Sequence, residues 1–197
     1  MIGFVAQTRP WSAIVLAVLP DVLAGGRPVV DTSASPHVQF RNVDMDAVRW
    51  TQGFWAERFV LCRDVTVPAL IQVMQKPDNS ATFQNLRIAA GLAEGKFSGN
   101  NWSDGDCYKL IEAMAAVYRV TRDPQLDRQM DEWIEVIAKA QARDGYISTQ
   151  IQLTDRQRWQ DLHFHELYNM GHLLTAACVH HRATGKDNFL LVARKLG

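Results

Sequence analysis

Residues 163–172 read HFHELYNMGH, with three histidines, a glutamate and a tyrosine in ten positions. Such a density of imidazoles raises metal binding first. A helical zinc signature sets two histidines four apart around a glutamate, so that both ring nitrogens reach one ion. Here His165 and His172 are seven apart, which is two turns and roughly 10 Å along a helix axis. They share a face but cannot share a small ion, and no metal site is expected from them. On a helix, His165, Tyr168 or Asn169, and His172 instead form one stripe of donors and acceptors. Facing a cavity, such a stripe suits a carbohydrate, whose hydroxyls need many partners. The competing reading is a helix whose imidazoles are satisfied by their neighbours. His180 and His181 read as a partly exposed structural pair, and His163 as the start of the helix.

A second stretch, NNWSDGD (100–106), sets Asp104 and Asp106 beside Trp102. Two carboxyls near an aromatic platform suggest a glycosidase pair, which needs a separation of about 5–9 Å. Ser103, Asp104 and Asp106 are equally what the start of a helix calls for, by capping and by the dipole. Capping is the expectation, with sugar contact left to the outermost acid. In RDGYISTQ (143–150), Tyr146 and Thr149 have the chemistry to line a pocket, but no spacing singles them out. Cys62, Cys107 and Cys178 are an odd, widely spaced set without a C-x-x-C pair, so neither a disulfide framework nor a zinc cluster is expected. Each reads as a small hydrophobe on an apolar helix face.

These residues need elements to position them. The chain has 197 residues, 47% hydrophobic and 21% charged, with 21 basic and 21 acidic side chains and no net charge. Nothing basic is concentrated anywhere, so nucleic acid is not an expected partner. The apolar run WSAIVLAVLP after Arg9, followed by Val22 and Ala24 at small-residue positions, resembles a secretory signal peptide. Residues 1–26 are expected to be that peptide and 27–36 a linker. The chain is then secreted or periplasmic and free of the membrane after cleavage; its oligomeric state is not readable.

From residue 37 the pattern is mixed and then helical. HVQF (37–40) reads as a short strand. Residues 56–75 have helical spacing with a kink at Pro68, 76–91 are irregular with a short helix at the end, and 95–106 form a loop. One helix is expected over about 104–121, capped by Ser103 or Asp104, and a second from Asp123-Pro124 to Asp144-Gly145. A third covers 163–184 and stops at Gly185, and a fourth follows Lys186-Asp187. AMAAVYRVTRD (113–123) and AACVHHRATGK (176–186) align at an offset of 63, which suggests repeated helical hairpins.

Read in order, GFW (53–55), GNNWSDGDCYKLIEAMA (99–115), AKAQARDGYISTQ (138–150) and HELYNMGHLLTAA (165–177) resemble glycoside hydrolase family 127, the β-L-arabinofuranosidase family. The likeness covers residues 43–197 and implies an all-α fold, the N-terminal part, roughly five helices, of an (α/α)6 barrel over residues 37–197. It implies a carbohydrate substrate and a retaining mechanism in which a zinc-held cysteine thiolate is the nucleophile and a glutamate the acid/base. The family's Zn2+ ligands, three cysteines and a glutamate, match no position here, so this chain alone is expected to hold no metal and to be inactive. The first histidine of H-E-L-Y carries over as a sugar contact, His165; Trp102, Asp104, Asp106 and Tyr168 are the further candidates for binding substrate. The family's D-S-D reads Asp104-Gly105-Asp106 here, and Asn169-Met170 falls inside the histidine motif. The alternative readings are a non-catalytic helical module that binds carbohydrate or a partner, and an epimerase or lyase using His165 and His172 as acid and base.

Overall fold

The computed structural model describes residues 28–196, which are all-α, with no strand among them. The expected signal peptide lies outside the described residues. HVQF is irregular and exposed, without the neighbouring strand that pairing requires. This segment is held by charge instead. Asp44 and Asp46 meet Arg119, at 2.5 and 3.1 Å, and Asp46 also meets Arg122. The two arginines close a helix at its C-terminal end, where cations oppose the dipole.

The first long helix is α1 (Phe54–Leu61) continued by α2 (Val67–Gln75) through a π-helical turn, Cys62–Thr66. Pro68 has no N–H for the carbonyl of Asp64 and its ring crowds that turn, so the expected kink takes the form of a π bulge. No residue of α1 is buried, and Phe54 and Trp55 are exposed. After α3 (Thr82–Ala89) come two hairpins, α4 (Ser103–Thr121) with α5 (Pro124–Ala140), and α7 (Glu166–Thr184) with α8 (Asn188–Leu196). Between them lies a single short turn, α6 (Thr149–Gln152).

The repeat read from sequence is a structural one. Ser103 and Glu166 open α4 and α7, Thr121 and Thr184 close them, and each pair is 63 positions apart. Both closures use the same device. Thr121 donates to the Val117 carbonyl and accepts from the Asp123 amide; Thr184 donates to His180 and accepts from Lys186. Arg122 and Gly185 then take the left-handed conformation at φ 58° and 80°. Asp123 caps α5 as expected, accepting from the Gln125 amide at 2.8 Å. Leu126, Met130, Trp133, Ile134 and Ile137 line its buried face. That helix ends at Ala140, earlier than its apolar pattern suggests, because the chain turns back at Gly145. There a Cβ would stand 1.8 Å from the Lys195 carbonyl, which only glycine allows.

The core lies between α4, α5, α7 and α8, around Tyr108, Ile111, Met114, Trp133, Leu173 and Phe189. First-turn residues of α4 touch first-turn residues of α7, and Arg122 reaches the Ala183 carbonyl at the other end, so these two helices run parallel. Successive antiparallel hairpins whose leading helices run parallel are the building units of an (α/α)6 barrel. Two readings of single residues change. Cys178 is exposed while Cys107 is buried, and His180 is fully buried rather than partly exposed.

Candidate functional site

The parallel packing of α4 and α7 brings both chemistry-bearing stretches to one end of the fold. Helix α7 begins at Glu166, not at residue 163. His163 lies in a 3-10 turn, Leu162–Phe164, and His165 is the N-cap residue, left-handed at φ 55°. The helical stripe imagined from spacing therefore starts one residue off the helix, yet its rings do form a row. Trp102 lies 5.5 Å from His165, His165 5.8 Å from Tyr168, and Tyr168 4.6 Å from His172, all edge to face. Trp102 and Tyr168 remain 42% and 43% exposed, enough surface to take a ligand.

Polar groups edge this row. Lys109 donates to the Tyr168 hydroxyl at 2.8 Å and to Asp106 at 2.9 Å. Partial burial works against its charge, but these two bonds outweigh it and hold its pKa above the usual range. His165 Nδ1 lies 2.6 Å from the His163 carbonyl. A carbonyl only accepts, so Nδ1 carries a proton, and in the neutral ring Nε2 is left as an acceptor.

The two acids of SDGD separate. Asp106 stays half-buried with Lys109. Asp104 is 3% exposed, and its oxygens accept from the Thr149 amide at 2.7 Å and the Thr149 hydroxyl at 2.6 Å. It takes the first amide of a helix, but that helix is α6, whose N-cap is Ser148; neither Ser103 nor Asp104 caps α4, whose N-cap is Trp102. Burial raises the Asp104 carboxyl above its usual range, against the pull of Thr149. The Cys107 thiol beside it is pushed up by burial and further by Asp104 and Asp106, so it is no nucleophile. Tyr146 and Thr149 do belong to this end: Tyr146 donates to Glu166, a buried carboxylate that also accepts from the Trp159 amide at 2.8 Å.

Asn101, Gln150 and Arg156 escape a reading by motif. Arg156 donates to the side chains of Asn101 and Gln150 at 2.8 and 2.7 Å, and Gln150 donates to the Asn101 and Phe164 carbonyls. Residues of loops and single-turn helices have no periodicity that would mark them. Among the described residues no group of three or more His, Cys, Asp or Glu side chains is placed to hold a metal ion. A zinc-held thiolate does not fit the residues present.

Residues 47–197 match the family described as "Beta-L-arabinofuranosidase, GH127 catalytic domain". A non-reducing end β-L-arabinofuranosidase of Bifidobacterium longum subsp. longum is 36% identical over 140 residues, 68% of this chain and 21% of that protein. The crystal structure of a GH127 β-L-arabinofuranosidase from Geobacillus stearothermophilus T6 superposes with a TM-score of 0.72 at 36% identity. It covers 76% of this chain and 24% of that one. A second GH127 β-arabinofuranosidase gives 0.70 at 31% identity, covering 77% and 25%. The chain thus spans between a fifth and a quarter of the length of these relatives. With a family match over three quarters of its residues, a shared fold and three of the motifs gathered at one end of it, the chain belongs to glycoside hydrolase family 127.

Proposed function

We propose that these residues form part of a glycosidase that releases terminal β-L-arabinofuranosyl units by a retaining route, and that the row Trp102–His165–Tyr168–His172 is its sugar-facing surface. The observation that carries this reading is the row itself, partly exposed rings in edge-to-face contact with hydrogen-bonding groups along one side. A furanose ring offers C–H bonds to an aromatic face and hydroxyls to its edges. Trp102 takes the first, while His165 Nε2 accepts from one hydroxyl and Asp106 and Lys109 stand ready for others. Asp104 acts from beneath, holding α6 against the first turn of α4.

The reacting groups lie elsewhere in the family's domain. Cys107 is buried and protonated, and the carboxylates of Asp104 and Glu166 are committed to Thr149, Tyr146 and Trp159. The cysteine nucleophile, the glutamate acid/base and the Zn2+ that would activate the thiolate are assigned to sequence outside these residues. A polypeptide of these 197 residues accordingly binds L-arabinose without turning over an aryl β-L-arabinofuranoside. Turnover by that polypeptide would overturn the division of labour. Trp102→Ala and His165→Ala should each weaken L-arabinose binding about tenfold, the effect of removing one stacking or hydrogen-bonding partner. Unchanged binding in both would overturn the sugar surface. Export is proposed on the apolar run at 11–20; N-terminal sequencing of the cell-free product should begin after the small-residue positions Val22 and Ala24.

A further inference from the structure

The sugar surface is built across two helices and a loop, and one side chain joins all three. We propose that Asn169 is its positioning residue and that Gly105 is the counterpart Asn169 requires; the proposal rests on the sugar-surface reading above. Asn169, 1% exposed, lies in the first turn of α7. Its Oδ1 accepts from the Gly105 amide of α4 at 3.0 Å, an N–H that also reaches the Trp102 carbonyl at 3.1 Å. Its Nδ2 donates to the Asn101 carbonyl at 2.8 Å, which also accepts from Gln150 at 3.2 Å.

Asn101 extends the splint. Its own Nδ2 donates to the His163 carbonyl at 2.8 Å, the same oxygen that accepts from His165 Nδ1 at 2.6 Å. The hydrogen bonds of Asn169 thus pass through the residue before Trp102 to the carbonyl that orients His165. The two rings at the head of the row are set from one buried amide. Only a side chain with an acceptor and a donor at this length can serve both partners, and both are main-chain groups whose other bonds, at 3.1 and 3.2 Å, are the longer ones.

Gly105 explains why the fit is close. A Cβ there would stand 2.8 Å from Asn169 Oδ1, 3.4 Å from Tyr168 Cε1 and 3.5 Å from His172 Cδ2. A side chain at 105 must displace Asn169 Oδ1, while its Cβ lies in ordinary contact with the rings of Tyr168 and His172. The D-S-D pattern that residues 104–106 otherwise resemble carries serine at this place. The glycine and the asparagine are therefore coupled through this one contact, in which the bare Gly105 backbone lets Asn169 reach its amide.

The test places 5-fluorotryptophan in the protein, assigns the Trp102 resonance with Trp102→Phe, and reads it by 19F NMR alongside the Kd for L-arabinose. Asn169→Leu should shift the Trp102 resonance and weaken L-arabinose about tenfold, and Asn169→Asp, which keeps the acceptor and loses the donor, should show the same shift with a smaller loss. Gly105→Ser should act like Asn169→Leu. The double variant Gly105→Ser/Asn169→Ala should bind no worse than Asn169→Ala alone, since the crowding is then relieved. A Trp102 resonance unmoved in both Asn169 variants overturns the positioning role, and additive losses in the double variant overturn the coupling. A shifted Trp102 with unchanged Kd upholds the splint and overturns the sugar-surface reading on which it rests.

Discussion

Replacing His180 with leucine should remove most of the acid sensitivity of this fold between pH 7 and pH 5. The imidazole is fully buried on α7, its ring 6.2 Å from Phe189 of α8, and neither nitrogen has a partner among the described residues. Burial depresses its pKa from 6.5 to about 4; Asp131 and Asp127 of α5 pull it upward, and Lys186 and His181 push it back. Between these two values the unfolded chain binds the proton and the folded chain does not. Stability is therefore full above pH 6.5 and falls as the pH drops through the window toward 4. At about 1.4 kcal/mol per pH unit, the whole window is worth ~3 kcal/mol, of which ~2 kcal/mol falls between pH 7 and pH 5. Asp104, raised by burial, slopes the opposite way, but it is present in both proteins and cancels in the difference. Urea unfolding of the protein and of His180→Leu, followed by circular dichroism at pH 7, 6 and 5, measures that difference. The variant should be at least as stable at pH 7, because two unpartnered polar atoms are gone, and should lose ~2 kcal/mol less on going to pH 5. Parallel curves would refute the reasoning, as would a variant destabilised by more than about 2 kcal/mol at pH 7, since that is the loss of a satisfied hydrogen bond rather than an orphaned ring.

Other substitutions test the scaffold around the site. Arg119→Met should cost about 3 kcal/mol in urea unfolding, because it strands the buried Asp44 carboxylate; Asp44→Asn/Arg119→Met should recover part of that loss. Asp104→Ala leaves the Thr149 amide and hydroxyl without an acceptor and should cost about 2–3 kcal/mol. It should also speed hydrogen exchange in α6 more than in α5. Gly145→Ala forces the turn away from the end of α8, where a Cβ would meet the Lys195 carbonyl at 1.8 Å. It should cost several kcal/mol, more than the ~1 kcal/mol of an ordinary left-handed glycine replaced by alanine.

Much of this fold is written in local patterns. Asp123-Pro124 announces α5, and the closing threonines of α4 and α7 announce the repeat, because capping and helix termination depend on a few adjacent residues. What escaped are features decided at a distance. HVQF has the composition of a strand but no strand to pair with. His165 falls in register with Tyr168 and His172, yet it is itself left-handed at φ 55°, and the helix starts only at the residue after it. The acids of SDGD have the composition of caps for their own helix. Asp104 instead takes the first amide of α6, some 45 residues away, while the Ser103 and Gly105 amides at the start of α4 go to the Asn100 and Trp102 carbonyls and to Asn169. The parallel course of α4 and α7 is what converts these scattered signals into a site. It sets two helix N-termini side by side, each an end of positive potential, and Asp104, Asp106 and Glu166 occupy their first turns. Those carboxylates answer the dipoles and their own donors, Lys109, Thr149, Tyr146 and Trp159, which leaves the rings of the row partly exposed. A repeat of 63 residues thus does more than build a barrel: it brings equivalent helix starts together, and the surface where they meet is the one we propose for a sugar.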